Sequence, residues 1–333
     1  MQRQFTHTYN DIISLENLLE AWEEFLTGKR NRADVQLLER DLMKNIIALH
    51  KDLVTKNYQH SPYQAFNISD PKPRNIHKAT VRDRLLHHAL YRKLYPFFDK
   101  TFIADSYSCR KGKGTHKALK RFHALGNRIS KNNTKTCWIL KCDIRKFFAN
   151  IDHEILLRIL AKYIPDQDIL WLLNNIISSF ETRSNVGLPL GNLTSQLLVN
   201  IYMNEFDQYM KHDLKAKYYI RYADDFVVFS QNKEWLMEIL RYIVVFLRDR
   251  LRLQLHPDKV SVTTLASGVD FLGWMHFSDH RVLRTATKKR MFRAIVGKEK
   301  DSAPVESYLG LLSHGNARKL KSRVEEMTKT TIL

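Results

Sequence analysis

Acidic residues are in short supply in this chain. Its 333 residues carry 35 Asp and Glu against 54 Lys and Arg, a formal charge of +19 with a pI near 9.7. An excess of that size exceeds what solubility requires and calls for a polyanionic partner. Cysteine is scarcer still. Cys109, Cys137 and Cys142 are odd in number and show no C-x-x-C spacing, which excludes a disulfide framework and a zinc ribbon and points to a reduced, cytoplasmic setting. No apolar run approaches the roughly 18 to 20 residues that span a bilayer; the longest, Ile243 to Leu247, is far shorter. The residues behind Met1 do not read as a signal peptide, so no membrane partner is expected. Fourteen histidines include no H-E-x-x-H pair, and most are expected to be solvated, packed or in contact with nucleic acid.

What is present is enough for folding. Hydrophobic residues make up 44% of the chain and aromatics 11%, so two or three cores can form. Two of the scarce acids stand side by side. In Tyr218-Tyr219-Ile220-Arg221-Tyr222-Ala223-Asp224-Asp225-Phe226-Val227-Val228-Phe229-Ser230 β-branched and aromatic flanks surround Asp224 and Asp225, the composition of two short strands joined by a tight turn. Adjacent carboxylates repel, and placing both at a hairpin tip makes sense chiefly around a cation. On the dipeptide alone, a simple polar turn is an equal alternative.

Apolar spacing of three and four predicts a helix from Ile12 to Leu26, ended by Gly28, and a second from about Ala33 to Leu53. Residues 58–84 change character, with Pro71-Lys72-Pro73-Arg74-Asn75-Ile76 extended and Thr80 capping the next helix. From Lys72 to Arg128 there are fifteen Lys or Arg against three acids, interleaved with Tyr91, Tyr95, Phe97, Phe98, Phe102 and Tyr107. One-signed charge among aromatics predicts a nucleic-acid surface rather than an ordinary solvated face. The loop Arg110 to His116, with Gly112 and Gly114, lacks the Walker spacing but leads into a helix whose amino end could hold a phosphate.

Trp138 to Asp143 reads as a buried strand ending in an acid, and Asn150 to Glu154 caps a following helix. Gly187 to Gln196 is a glycine-rich turn entering another helix; Trp235 to Leu251 is amphipathic; Arg284 to Leu333 is basic and mainly helical. Asp143, Asp224 and Asp225, flanked by basic segments, supply hard oxygen donors for two magnesium ions roughly 3.5 to 4 Å apart, the requirement of nucleotidyl transfer.

Five motifs occur in one order along the chain: Asp143 with Phe148 five positions later, the Leu188-Pro189-Leu190-Gly191 turn, Tyr222-Ala223-Asp224-Asp225, Leu255-His256-Pro257-x-Lys259, and Phe271-Leu272-Gly273-Trp274. In this the sequence resembles a reverse transcriptase. Within that family it is most similar to enzymes of diversity-generating retroelements: group II intron enzymes read Q-G-x-x-x-S-P at the turn, whereas this chain reads Leu190-Gly191-Asn192-Leu193-Thr194-Ser195-Gln196. Asp70 to Arg74 and Ser106 to His116 also resemble the mutagenic group.

The resemblance implies an α+β right-hand polymerase with an antiparallel palm backed by helices. It implies N-terminal helices and fingers over about 1–136, palm over about 137–280 with a fingers segment near 160–186, and a short helical thumb over about 281–333. It implies two Mg2+ held by Asp143 and Asp224 with Asp225 supporting and the Ile144 carbonyl completing one shell. Lys72 and Arg74 would grip the triphosphate, Arg84 would brace the fold, and Phe148 would act as the steric gate. Leu190, Gly191 and Gln196 would border the nucleotide, Lys259 would protonate the leaving pyrophosphate, and Phe271, Leu272, Gly273 and Trp274 would form the primer grip. Expected partners are template RNA, primer and cDNA, dNTPs and a small basic accessory protein, in a bacterial or phage setting. No endonuclease, RNase H or long maturase-like region is expected. Leu190, in place of a polar glutamine, is expected to weaken discrimination opposite template adenine. The alternatives are a retron, phage-defence or group II intron-like enzyme, or a catalytically silent RNA-binding protein. A palm-type cyclase would share the acids but not need the basic flanks.

Overall fold

The computed structural model describes residues 3–69 and 73–329; Lys72, expected at the triphosphate, lies outside them. The architecture is α+β, helices combined with antiparallel sheets. The chain divides into two compact units, each assembled from separated stretches: residues 1–104, 144–215 and 244–254 in one, and 105–143, 216–243 and 255–333 in the other.

The first unit is mainly helical. Its centre is the helix Leu193–Gln208, buried along most of its length, with polar Asn200, Asn204 and Asp207 enclosed beside Leu197, Ile201 and Phe206. The helix Val81–Asp99 packs on it and on Leu15–Leu26, burying Trp22, Phe25, Leu86, Leu90 and Phe98. Thr80 caps Val81–Asp99 by accepting from the Asp83 amide, as expected. The two predicted amino-terminal helices each prove to be two. Ser14 leaves helical geometry and its side chain accepts from the Asn17 amide, separating Tyr9–Ile13 from Leu15–Leu26. Asp41, at φ −120°, separates Ala33–Arg40 from Leu42–Val54. Apolar spacing continues across both breaks, so periodicity alone does not reveal them. The extended stretch forms a hairpin of β1 (Gln64–Ile68) and β2 (Arg74–Lys78), most of it exposed.

The second unit holds the sheet of β3 (Trp138–Asp143), β4 (Tyr219–Tyr222), β5 (Asp225–Ser230) and β6 (Ser261–Thr264), antiparallel in the order β4-β5-β3-β6. The helix Thr115–Ile129 lays Ala118, Phe122, Leu125 and Ile129 against Ile139, Val227 and Phe229. A meander of β7 (Val269–Phe271), β8 (Trp274–His276) and β9 (Arg281–Leu283) follows, with Phe271 stacked on Phe122. Three helices, Thr285–Ile295, Ala303–Leu312 and Arg318–Lys329, then close a core around Trp274, Met291, Val305 and Val324. Among the described residues no helix is long and apolar enough to cross a membrane.

Candidate active site

Strand register brings the acids together. β3 and β5 pair so that Asp143 faces Asp225, and β4 and β5 pair so that Tyr222 faces Asp225, with Ala223 and Asp224 forming the connecting turn. Residues directly opposite in an antiparallel ladder point to the same face. Asp143 and Asp225 therefore share one face at one end of the sheet, and Asp224 sits beside them at the tip. Ala223 adopts φ +55°, a left-handed conformation that two-residue hairpins require and alanine adopts only at a cost.

Arg221 meets part of that cost. It is fully buried, yet its Nη1 donates to the Ala223 carbonyl at 3.1 Å and its Nη2 to Ser106 Oγ at 3.2 Å. Residues 105–107 run alongside β4: the Arg221 amide donates to the Asp105 carbonyl and the Tyr107 amide to the Arg221 carbonyl, both at 3.0 Å. Asp105 in turn accepts two bonds from Arg121, at 2.9 and 3.0 Å, and one from the Tyr107 hydroxyl at 3.0 Å. The turn that carries Asp224 is thus anchored from below by a buried guanidinium. Sequence reasoning missed Arg221, which it read only as part of a hairpin.

Two lysines balance the carboxylates. Lys259 Nζ donates to Asp143 Oδ1 at 2.8 Å, and the short helical turn Pro257–Lys259 is held in place by the His256 amide donating to the Asp143 carbonyl at 2.8 Å. Lys141, two residues before Asp143 and on the same face, has its Nζ 3.8 Å from Asp225 Oδ1. Sequence reasoning passed over Lys141 too, although the period of two along β3 points it at the acids. Asp225 Oδ1 is inaccessible and accepts no hydrogen bond. Burial pushes the Asp225 carboxyl up to about 7; Lys141 opposes the rise, while Asp143, Asp224 and Asp270 add to it.

That orphaned oxygen fits a divalent cation, since a buried carboxylate without donors is tolerated when it is neutral or bound to metal. Asp143, Asp224 and Asp225 are hard oxygen donors of the kind magnesium takes. As the side chains stand, no three His, Cys, Asp or Glu among the described residues are gathered closely enough to hold one ion; Lys259 and Lys141 are the cations at Asp143 and Asp225. Ile144, whose carbonyl was expected to serve as a ligand, follows Asp143 with its side chain buried.

The meander places the expected primer grip. Leu272 and Gly273, at φ +50° and +85°, form a two-residue turn between Phe271 and Trp274, which face each other in the ladder. Phe271 and Trp274 are buried in the cores, and Leu272 packs partly buried against both.

The remaining expected nucleotide residues belong to the other unit. Arg74 opens β2 and is exposed. The Leu190 carbonyl accepts from the His77 amide at 3.1 Å, and Asn192 Nδ2 donates to the His77 carbonyl at 2.8 Å, so the glycine turn is tied to β2. Gly191, at φ +103°, has room for no side chain, since a Cβ would lie 2.9 Å from Ile76 Cγ2. Gln196 sits half-buried in the first turn of Leu193–Gln208. Phe148 is half-buried beside the buried Phe147, and its carbonyl accepts from the Leu188 amide at 2.8 Å. Arg84 pairs with Asp34 at 2.6 Å over the Phe25 ring.

Comparison with known proteins places this geometry in context. The pattern of the family described as reverse transcriptase (RNA-dependent DNA polymerase) matches residues 68–276, more than half of the chain, including Asp143, Asp224 and Asp225. The chain is similar to Protein YkfC of Escherichia coli (strain K12), 25% identical over 300 residues that cover 78% of this chain and 76% of that protein. It is similar to the group II intron-encoded protein LtrA of Lactococcus lactis subsp. cremoris, 24% identical over 322 residues, covering 74% of this chain and 51% of LtrA. It is also similar to nuclear intron maturase 1, mitochondrial, of Arabidopsis thaliana, 24% identical over 146 residues, covering 43% of this chain and 19% of that one. The chain thus spans about half of LtrA and a smaller part of the plant maturase. With paired acids on an antiparallel sheet and the family pattern laid across them, the chain belongs to the reverse transcriptase (RNA-dependent DNA polymerase) family and has the α+β fold of right-hand polymerases.

Proposed function

We propose that this chain is an RNA-directed DNA polymerase that extends a primer with dNTPs on a template RNA. The observation that carries the reading is the register that sets Asp143 opposite Asp225 with Asp224 in the adjoining turn. Magnesium held by Asp143, Asp224 and Asp225, with the Ile144 carbonyl, would polarise the primer hydroxyl and neutralise the triphosphate. Lys259, placed on Asp143, supplies a proton to pyrophosphate as the bond to the α-phosphorus breaks. Arg74, with Lys72, grips the phosphates. Phe148 crowds the position of a ribose 2′ hydroxyl and so selects deoxynucleotides, Leu190, Gly191 and Gln196 border the base pair, and the turn at Leu272–Gly273 supports the primer end.

The finer reading is a mutagenic enzyme of a diversity-generating retroelement, working with a structured template RNA and a small basic accessory protein. Its support is Leu190 and the Ser195-Gln196 ending of the glycine turn. The second reading is a group II intron-like enzyme, favoured by the intron context stated in the names of LtrA and the plant maturase. Primer extension on a defined RNA, with sequencing of the product, tests both levels. DNA with errors concentrated opposite adenine supports the mutagenic reading, accurate DNA supports the second, and no DNA in the presence of magnesium and cognate RNA removes the polymerase.

A further inference from the structure

A groove in the sheet unit, with none of Asp143, Asp224 and Asp225 in its lining, gathers five of the chain's fourteen histidines. Its volume is about 520 Å³. One wall is a single face of the helix Thr115–Ile129, presenting His116, Lys117, Lys120 and His123 at helical spacing. The second is the β8–β9 hairpin, with His276, Asp279, His280 and Arg281. The third is the turn before the last helix, with His314, Gly315 and Asn316. The opposite face of the helix is committed to the core through Ala118, Leu119 and Phe122, so its basic face is presented to the groove.

The walls are built rather than incidental. His116 and His314 meet ring to ring, with centroids 3.8 Å apart. Arg281 lies over the buried Trp274 ring at 5.3 Å and its Nε donates to the His314 carbonyl. The Asn316 amide donates to the Arg281 carbonyl at 3.0 Å. Gly315 admits no side chain, because a Cβ would fall 2.0 Å from Trp274 Cζ3. The wall carrying His314 is therefore fixed against the core.

The charge of the groove is mainly positive. Lys117, Lys120 and Arg281 supply the basic side chains, and the one carboxylate among the lining residues, Asp279, is exposed and paired with His280 Nδ1 at 2.7 Å. We propose that this groove binds a phosphate-class oxyanion, and that binding strengthens as its outer histidines take up protons. Burial, then the neighbouring His116 and Arg281, lower the pKa of His314. An anion between these groups removes the repulsion and draws protons onto the rings, and by linkage protonation tightens the anion. His276 lies deeper, held down to about 4 chiefly by burial, so the effect centres on His314, whose ring meets that of His116. The anion is either free polyphosphate or a nucleic-acid backbone phosphate, which share this chemistry.

The test is calorimetric titration of the full chain with pyrophosphate, free of divalent metal, at about pH 8 and about pH 6, the range in which histidine titrates. Because no turnover is read, the outcome is separate from that of the polymerase reading. Expected is binding about tenfold tighter at the lower pH with net proton uptake, lost in Lys117→Gln/Lys120→Gln and made pH-independent in His116→Gln/His314→Gln. Both pairs are exposed, so the fold should survive, and unchanged near-UV circular dichroism confirms it. Displacement of pyrophosphate by a short single-stranded oligonucleotide identifies the backbone as the source, and no displacement identifies free polyphosphate. Absence of binding at either pH, or parental affinity and pH dependence in both double variants, overturns the site.

Discussion

Lys259 Nζ donates to Asp143 Oδ1 at 2.8 Å, so the lysine proposed as proton donor to the leaving group is held by one of the carboxylates proposed to bind metal. Cation and lysine compete for the same oxygen. Lys259→Gln should therefore bind Mn2+ more tightly, read by electron paramagnetic resonance of the free ion, while single-turnover incorporation slows by about 10² to 10⁴. A merely structural lysine would weaken both together.

Arg221 should behave as a positioning residue. Arg221→Met removes the bonds to the Ala223 carbonyl and to the buried Ser106 hydroxyl, and is expected to cost about 3 kcal/mol or more of stability in urea. Ser106→Ala removes one neutral partner and should cost about 1 kcal/mol. Where Arg221→Lys folds, the expected signature is a fall in kcat and in Mn2+ affinity with template binding unchanged, because the turn carrying Asp224 has lost its support.

A pH dependence of stability follows from His87. It is fully buried, its Nε2 is 3.3 Å from that of His60, and burial, reinforced by His60, pushes its pKa down to about 3. The unfolded chain protonates this residue near 6.5 and the folded chain does not, so the unfolded state binds more protons between those values. Stability is full above about pH 6.5 and falls as pH drops toward 3, by about 2 kcal/mol at pH 5 from this residue. His87→Gln should flatten the dependence of the urea midpoint over that range even though it lowers stability at neutral pH.

Fidelity is expected to depend on Leu190. Its carbonyl is bonded to β2 through His77, so its backbone position is fixed while its side chain offers packing and no hydrogen bond. Leu190→Gln should reduce misincorporation opposite adenine with little change opposite the other bases, measured by sequencing products made from one RNA. An unchanged error spectrum would remove Leu190 from the explanation.

Much of this site was legible in the sequence, and the reasons are local. The β4–β5 hairpin was marked by β-branched and aromatic flanks around two acids, Asp143 by the apolar run ahead of it, and Lys259 by its Leu-His-Pro-x-Lys setting. What was not legible depends on partners distant in sequence. Nothing local distinguishes a buried Arg221 from an exposed strand arginine; its role comes from Ser106, 115 positions away. The three residues 105–107 that run beside β4 are too few to show a period. Ser14 and Asp41 interrupt helices at points where the apolar spacing carries on, and the histidine groove joins three segments that no single window contains.

The most direct test is single-turnover primer extension on an RNA template with magnesium, comparing the parent chain with Asp143→Asn and Asp225→Asn. Both substitutions keep the shape and one acceptor oxygen while removing the ionisable carboxyl. If the facing pair on β3 and β5 forms the reaction centre, the parent makes DNA and each variant loses a factor of about 10³ or more with template binding retained. Extension by either variant at near the parental rate would contradict that assignment.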